Sequence, residues 1–216
     1  MMETKAHNLL SVISCILQHV VEEQDKNIAF ATISCFTSQH KPGISIYDYL
    51  QRLCTYSHCG SEPLIFSLIY IDRLIQSQSV AVNSLSIHRI LVTSLVIATK
   101  YLEDVCCVNS YFAKIGGLQT REINLLESEF LHAICFSLYV SQSDYAMYFF
   151  ELCHHADSGI CPNCCRVRGR ERAVDGLCFS NLLEDEDRAY TISRDQLKAA
   201  SSDSPVNVVC SAYEEQ

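Results

Sequence analysis

Thirteen cysteines and eight histidines supply this chain with nucleophiles and metal ligands, but their spacing builds little chemistry. The one metal-like cluster is His154-His155 followed by Cys161-Pro162-Asn163-Cys164-Cys165. Cys-x2-Cys is a common half-site for tetrahedral zinc, and His154 or His155 with Cys165 would complete it. The competing reading is a run of reduced cysteines in a flexible tail, because no second Cys-x2-Cys follows. No Gly-rich phosphate loop after a strand, nucleophile elbow or His-Glu-x-x-His string occurs, so neither catalysis nor a cofactor is expected.

Three charged positions pose sharper questions. Glu127 falls within the helical arc of Ile123, Leu126, Phe130, Leu131 and Ile134. A buried, unpaired carboxylate costs on the order of several kcal/mol, so Glu127 must be paired or lie at an edge facing a partner. Lys100 lies away from the main apolar arc of its helix, beside Arg89, Thr93 and Val96, at the end where the helix dipole favours a cation. Three readings stay open: an internal Lys100–Glu127 ion pair, two solvated charges, or a composite surface framed by Tyr101, Leu131 and Phe136. Such a surface would suit capture of a partner helix, with apolar anchors and polar groups for its backbone ends. Asp72 falls beside Ile65, Leu68 and Ile69, and Arg73 follows it. Asp72 is expected to make a structural ion pair or to cap a neighbouring backbone group.

The elements that carry these residues read as helix after helix. At 100° per residue, Leu9, Val12, Ile13, Ile16, Leu17 and Val20 share one arc, predicting an amphipathic helix over 6–24. After Lys41-Pro42-Gly43, Ser45 can cap a helix to about residue 57, with Asp48 completing an acidic capping box. A third helix is expected over 62–77, with Pro63 in its first turn. The stretch 84–103 is apolar nearly all round, as a central helix wrapped by neighbours should be. A short segment at 109–115 ends at Gly116-Gly117, and further helices are expected over 120–136 and 143–154. No useful run alternates as a strand does. The expected fold class is all-α: one central helix surrounded by others, with a largely irregular C-terminal tail.

Composition narrows the rest. Hydrophobic residues are 49% of the 216, enough to bury a core. A net charge of −9 weighs against a basic nucleic-acid surface, so no nucleic-acid partner is expected. No apolar run reaches about 18 residues, so no membrane partner is expected either. Residues 9–21 are apolar but contain Gln18 and His19 and lack a cleavage site. The chain therefore reads as intracellular, in nucleus, cytoplasm or both, with reduced thiols. Beyond Asp157 the chain turns polar. It carries the basic stretch 166–172, the acidic run 184–187 and Ser204-Pro205, a minimal proline-directed phosphorylation site.

The strings ISIYDYLQRL at 44–53, LIYIDRLI at 68–75, HRILVTSLVIATKYLEDV at 88–105 and NSYFAKIGGLQTREINLLESEFL at 109–131 carry a family likeness. In this order and spacing they resemble the single cyclin box of the P/U-type cyclins, the group that includes the yeast phosphate-pathway cyclin. The resemblance implies a five-helix box over 44–138; around it the residue pattern sets an N-terminal helix and linker over 1–43, a flanking helix over 139–156 and, by composition, a polar, flexible tail over 157–216. It implies a non-catalytic regulatory subunit that binds and activates a cyclin-dependent kinase as a heterodimer. Lys100 and Glu127 would grip the kinase C-helix, with Ile97, Tyr101, Leu131, Phe136 and Leu138 as its apolar pocket. Asp72 and Arg73 match the family's structural acid–arginine pair. Cell-cycle and phosphate signalling are both outputs of this group. The alternative is a cyclin-fold adaptor for a helical partner that is not a kinase.

Overall fold

The computed structural model describes residues 2–26, 34–104 and 106–158. Seven helices follow in order: α1 Met2–Asp25, α2 Ile46–Ser57, α3 Ser61–Gln76, α4 Ile87–Leu102, α5 Asn109–Gly116, α6 Thr120–Ala133 and α7 Gln142–Ser158. Among the described residues there is no strand, so the all-α expectation holds. None of these helices is long and apolar enough to cross a membrane.

The core is organised around α4. Ile90, Leu91, Val92, Leu95, Val96 and Ala98 are all buried, and so are the polar residues Thr93, Ser94 and Thr99. Thr93, Ser94 and Thr99 turn their hydroxyls back onto Arg89, Leu91 and Leu95 carbonyls of the same helix. That satisfies a buried hydroxyl without a tertiary partner. The neighbour α3 is nearly as enclosed, with Leu64 to Asp72 and Leu74 buried. The predicted arc of α1, from Leu9 to Val20, is buried as well, so α1 belongs to the same core as the five helices α2–α6. Each fully buried leucine or isoleucine stabilises such a core by about 1.5–3 kcal/mol.

Local chemistry sets the helix ends. The Ser45 hydroxyl accepts from the Asp48 amide at 3.0 Å and donates to the Asp48 carboxylate at 2.6 Å, closing the start of α2. The end of α5 is set by Gly117, at φ 73°, where the Leu118 amide returns to the Ala113 carbonyl at 2.8 Å. Gly116 is needed for a different reason. A Cβ there would come within 3.0 Å of Val92 Cγ2, and its carbonyl accepts from the buried Tyr49 hydroxyl at 2.9 Å. The glycine lets α5 approach α4 and α2 closely.

The end of α6 departs from expectation. The helix stops at Ala133, short of Phe136. Cys135 and Phe136 both take left-handed backbone angles, φ 52° and 54°, and the Phe136 amide bonds the Leu131 carbonyl at 2.8 Å. Neither residue is glycine, so tertiary contacts must hold this turn against its intrinsic cost. They come from α3. The Arg73 guanidinium donates to the Ser137 carbonyl at 2.6 Å and the Tyr139 carbonyl at 2.9 Å, and the Tyr70 hydroxyl donates to the Leu138 carbonyl at 2.9 Å. Three successive carbonyls are thus fixed by two side chains one turn apart.

This arrangement corrects the Asp72–Arg73 expectation. The described ion pairs are Glu23–Lys26, Arg89–Glu122 and Lys100–Glu127, and Asp72–Arg73 is not among them. Adjacent helical residues diverge by about 100°, so the two side chains serve different neighbours. Arg73 caps the turn after α6, while Asp72 is fully buried against α7. Its carboxylate Oδ2 accepts from the Tyr148 hydroxyl and from Gln76 Nε2.

Candidate functional site

The site is built where the last turn of α4, the first residue of α5 and the middle of α6 converge. Lys100 Nζ meets Glu127 Oε1 at 2.6 Å. The lysine side chain is 35% exposed and the carboxylate 18%, so the pair lies at the surface with its inner side covered. The second carboxylate oxygen is also held: Asn109 Nδ2 donates to Glu127 Oε2 at 2.7 Å and to Asn124 Oδ1 at 2.8 Å. Asn124 and Glu127, three apart on α6, share a face, which brings both acceptors to the same amide.

The apolar residues expected around this pair divide in two. Tyr101 and Phe136 are exposed at 44% and 57%, large areas for aromatic rings, and Leu131 and Leu138 are half-buried beside the core. Ile97, expected in the apolar pocket, is only 3% exposed. It lies one turn before Tyr101 on α4 and belongs to the core beneath the surface. Tyr101 rests on Phe66 with ring centroids 6.1 Å apart, and Phe66 also meets Tyr145 of α7 at 6.0 Å. Phe136 packs edge-on to His132 at 5.1 Å, and its turn is the one pinned by Arg73 and Tyr70. The exposed rings are therefore held in place from below.

The rest of the stripe predicted on α4 is largely covered. Thr93 and Val96 are buried, and Arg89 pairs with Glu122 of α6 at 2.7 Å. Its C-terminal end, at Lys100 and Tyr101, is exposed, while Arg89 is only partly so, its side chain 25% exposed beside Glu122. The metal-like cluster lies mostly outside the described residues, which exclude Cys161, Cys164 and Cys165. His154 is exposed on α7 with its ring stacked on Phe150. Among the described residues no three His, Cys, Asp or Glu gather as a metal site. The basic and acidic tail stretches and Ser204-Pro205 are likewise outside them.

The site is thus a supported charge pair flanked by exposed aromatics at the surface of an all-helical core with a central helix. Residues 9–138 match the cyclin family. The chain is 36% identical over 146 residues to Cyclin-U4-1 of Arabidopsis thaliana, covering 65% of this chain and 72% of that one. It is 36% identical over 148 residues to Cyclin-P4-1 of Oryza sativa subsp. japonica, covering 65% and 70%. A match of 35% over 133 residues joins it to the Nuc-1 negative regulatory protein preg of Neurospora crassa, covering 59% of this chain and 27% of that one. The chain belongs to the cyclin family, and its resemblance is to the P/U-type members. That membership supports a regulatory role of the cyclin kind.

Two residues of the site were missed in the sequence. Asn109 follows a loop and reads as an ordinary helix start. Tyr70 reads as one more core aromatic. The spacing of Asn124 and Glu127 was the available signal for a shared polar face.

Proposed function

We propose that this chain is the regulatory subunit of a cyclin-dependent protein kinase and docks the kinase C-helix on the Lys100–Glu127 surface as a heterodimer. The observation that carries this reading is a charge pair covered on its inner side, open on its outer side and flanked by exposed Tyr101 and Phe136. A helix laid there would place its apolar side on the two rings and Leu131. The Glu127 carboxylate would accept from donors of the docked segment, and Lys100 would donate to carbonyls or carboxylates at its other end.

Activation in this reading is a shift of population. An active kinase has its C-helix turned inward, so that the helix glutamate meets the catalytic lysine. A regulator that binds only that state stabilises it by the difference in its affinities. Reversing a 1:99 equilibrium needs about 5.5 kcal/mol. Breaking one desolvated, hydrogen-bonded charge pair at an interface costs about 2–5 kcal/mol. The chain contributes no catalytic group and no cofactor, since ATP and magnesium belong to the kinase. It acts inside the cell, in nucleus or cytoplasm, within a phosphate-signalling or cell-cycle circuit.

The test is affinity purification of the tagged full chain from its own cells, with a kinase assay on the eluate. Wild type and Lys100→Ala/Glu127→Ala are compared. The expected result is a cyclin-dependent kinase that co-purifies with wild type and is lost with the double variant. A kinase retained by a folded double variant refutes the site. No kinase with either protein turns the reading to an adaptor for another helical partner.

A further inference from the structure

We propose that Asn109 is the positioning residue of the docking surface, its amide locking the Glu127 carboxylate in the orientation that presents it to a partner. The inference rests on the docking role proposed above for Glu127. It begins with geometry. Both Nδ2 protons of Asn109 are engaged on α6, one by Glu127 Oε2 at 2.7 Å and the other by Asn124 Oδ1 at 2.8 Å. The orientation of the amide is fixed by chemistry. Flipping it would set the Asn109 carbonyl oxygen against two other oxygens, neither of which has a proton to donate.

A glutamate has three rotatable bonds, and an exposed one samples many rotamers. Lys100 alone restrains it poorly, because a lysine is a flexible point charge with no preferred approach. Asn109 is short and is the first residue of α5, which is anchored by Phe112, Ala113 and Ile115 in the core. A donor on that rigid base fixes the carboxylate plane and leaves Lys100 to Oε1. The arrangement has a cost: Asn109 Oδ1 is buried and has no hydrogen-bond partner. Buried unsatisfied acceptors are uncommon, and each calls for an explanation. Here the acceptor is left bare so that both donors can face α6. A partner then meets a carboxylate already immobilised, and the entropy of ordering it is not charged to binding.

The test measures the Kd between the full chain and the cyclin-dependent kinase identified with it, alongside the melting temperature of each free variant. Asn109→Ala is expected to weaken binding about tenfold, the size of a typical coupling between contacting groups. Asn109→Ala/Glu127→Ala should bind no more weakly than Glu127→Ala, because Asn109 acts through that carboxylate. Asn109→Asp sets two carboxylates together and should weaken binding about a hundredfold at about pH 7.5. Relative to wild type at the same pH, it should recover in part at about pH 5.5, where a shared proton restores a donor. Asn109→Ala should show no such recovery.

Full binding by Asn109→Ala, when Glu127→Ala has lost it, overturns the inference and leaves the docking reading standing. So do additive losses in the double variant, or a loss that tracks melting temperature alone. Full binding by Glu127→Ala refutes the docking reading itself and takes this inference with it.

Discussion

Asp72 should make the fold less stable as pH rises, against the usual behaviour of a carboxylate. The group is fully buried, and desolvation pushes its carboxyl up from 3.8 to about 6, although hydrogen bonds from Tyr148 and Gln76 and the charge of Arg73 pull the other way. One oxygen, Oδ1, is buried with no hydrogen-bond partner. The native protein therefore holds a proton that the unfolded chain has already released between about pH 4 and 6. Stability from this group is complete below the unfolded value and is lost as pH rises through about 6. At about 1.36 kcal/mol per pH unit, the full span is about 3 kcal/mol, of which about 1.4 kcal/mol falls between pH 5 and 8. His88 works in the opposite sense. Burial holds its ring below the ordinary 6.5, so its contribution is lost as pH falls. The assay must cancel it. Urea unfolding followed by circular dichroism, on wild type and Asp72→Asn at about pH 5, 6, 7 and 8, isolates Asp72, because His88 titrates in both proteins. The variant should gain about 1.4 kcal/mol on wild type between pH 5 and 8. Tyr148→Phe, which removes a donor to the ionised form, should be more damaging at pH 8 than at pH 5. Parallel pH curves for wild type and Asp72→Asn would refute the reasoning.

The Lys100–Glu127 pair should separate stability from binding: Glu127→Ala changes the urea unfolding free energy by about 1 kcal/mol or less, as a partly solvated pair does. In the kinase complex the same substitution should cost about 2–5 kcal/mol in Kd, measured by titration with the purified kinase. Arg73→Ala frees the Ser137 and Tyr139 carbonyls and should lower unfolding stability by about 1–3 kcal/mol. It should also weaken kinase binding by loosening the Phe136 turn, which Lys in place of Arg would restore only in part, since the fork of donors is lost. Gly116→Ala should cost about 1–3 kcal/mol through its clash with Val92, measured by thermal unfolding. Gly117→Ala meets nothing within 4 Å and should cost only about 1 kcal/mol, through its positive φ.

What was legible in the sequence was what periodicity controls. The near all-round apolarity of 84–103 marks α4 as the central helix, and Ile90 to Thr99 are buried on every side. The arc from Leu9 to Val20 and the Ser45–Asp48 cap are equally local signals. Glu127 and Lys100 stand out because each breaks the pattern of its own helix. What was hidden depends on partners distant in the chain. Asn109 reaches Glu127 across eighteen residues, and no local rule distinguishes it from an ordinary capping asparagine. The left-handed turn at Cys135 and Phe136 contains neither glycine nor proline, so a helix through Phe136 was the reasonable expectation. Its cause lies more than sixty residues away, at Tyr70 and Arg73. Asp72-Arg73 suggested a pair because the two are adjacent, yet adjacency on a helix sends side chains to different neighbours.

These particulars place support and recognition on different energetic scales. The groups that hold the surface in shape sit beneath or beside it and are satisfied by geometry: Arg73 and Tyr70 on three carbonyls, and Gly116 against Val92. Removing any of them costs folding free energy. The groups proposed to meet the kinase, Lys100, Glu127, Tyr101 and Phe136, lie at the edge, where substitution costs the isolated fold little. A regulator that acts by differential affinity needs this division. Because Lys100 and Glu127 are already ordered and paired at the surface, a docked helix can engage them without first ordering them. The binding energy can then be applied to the kinase equilibrium rather than to ordering the regulator.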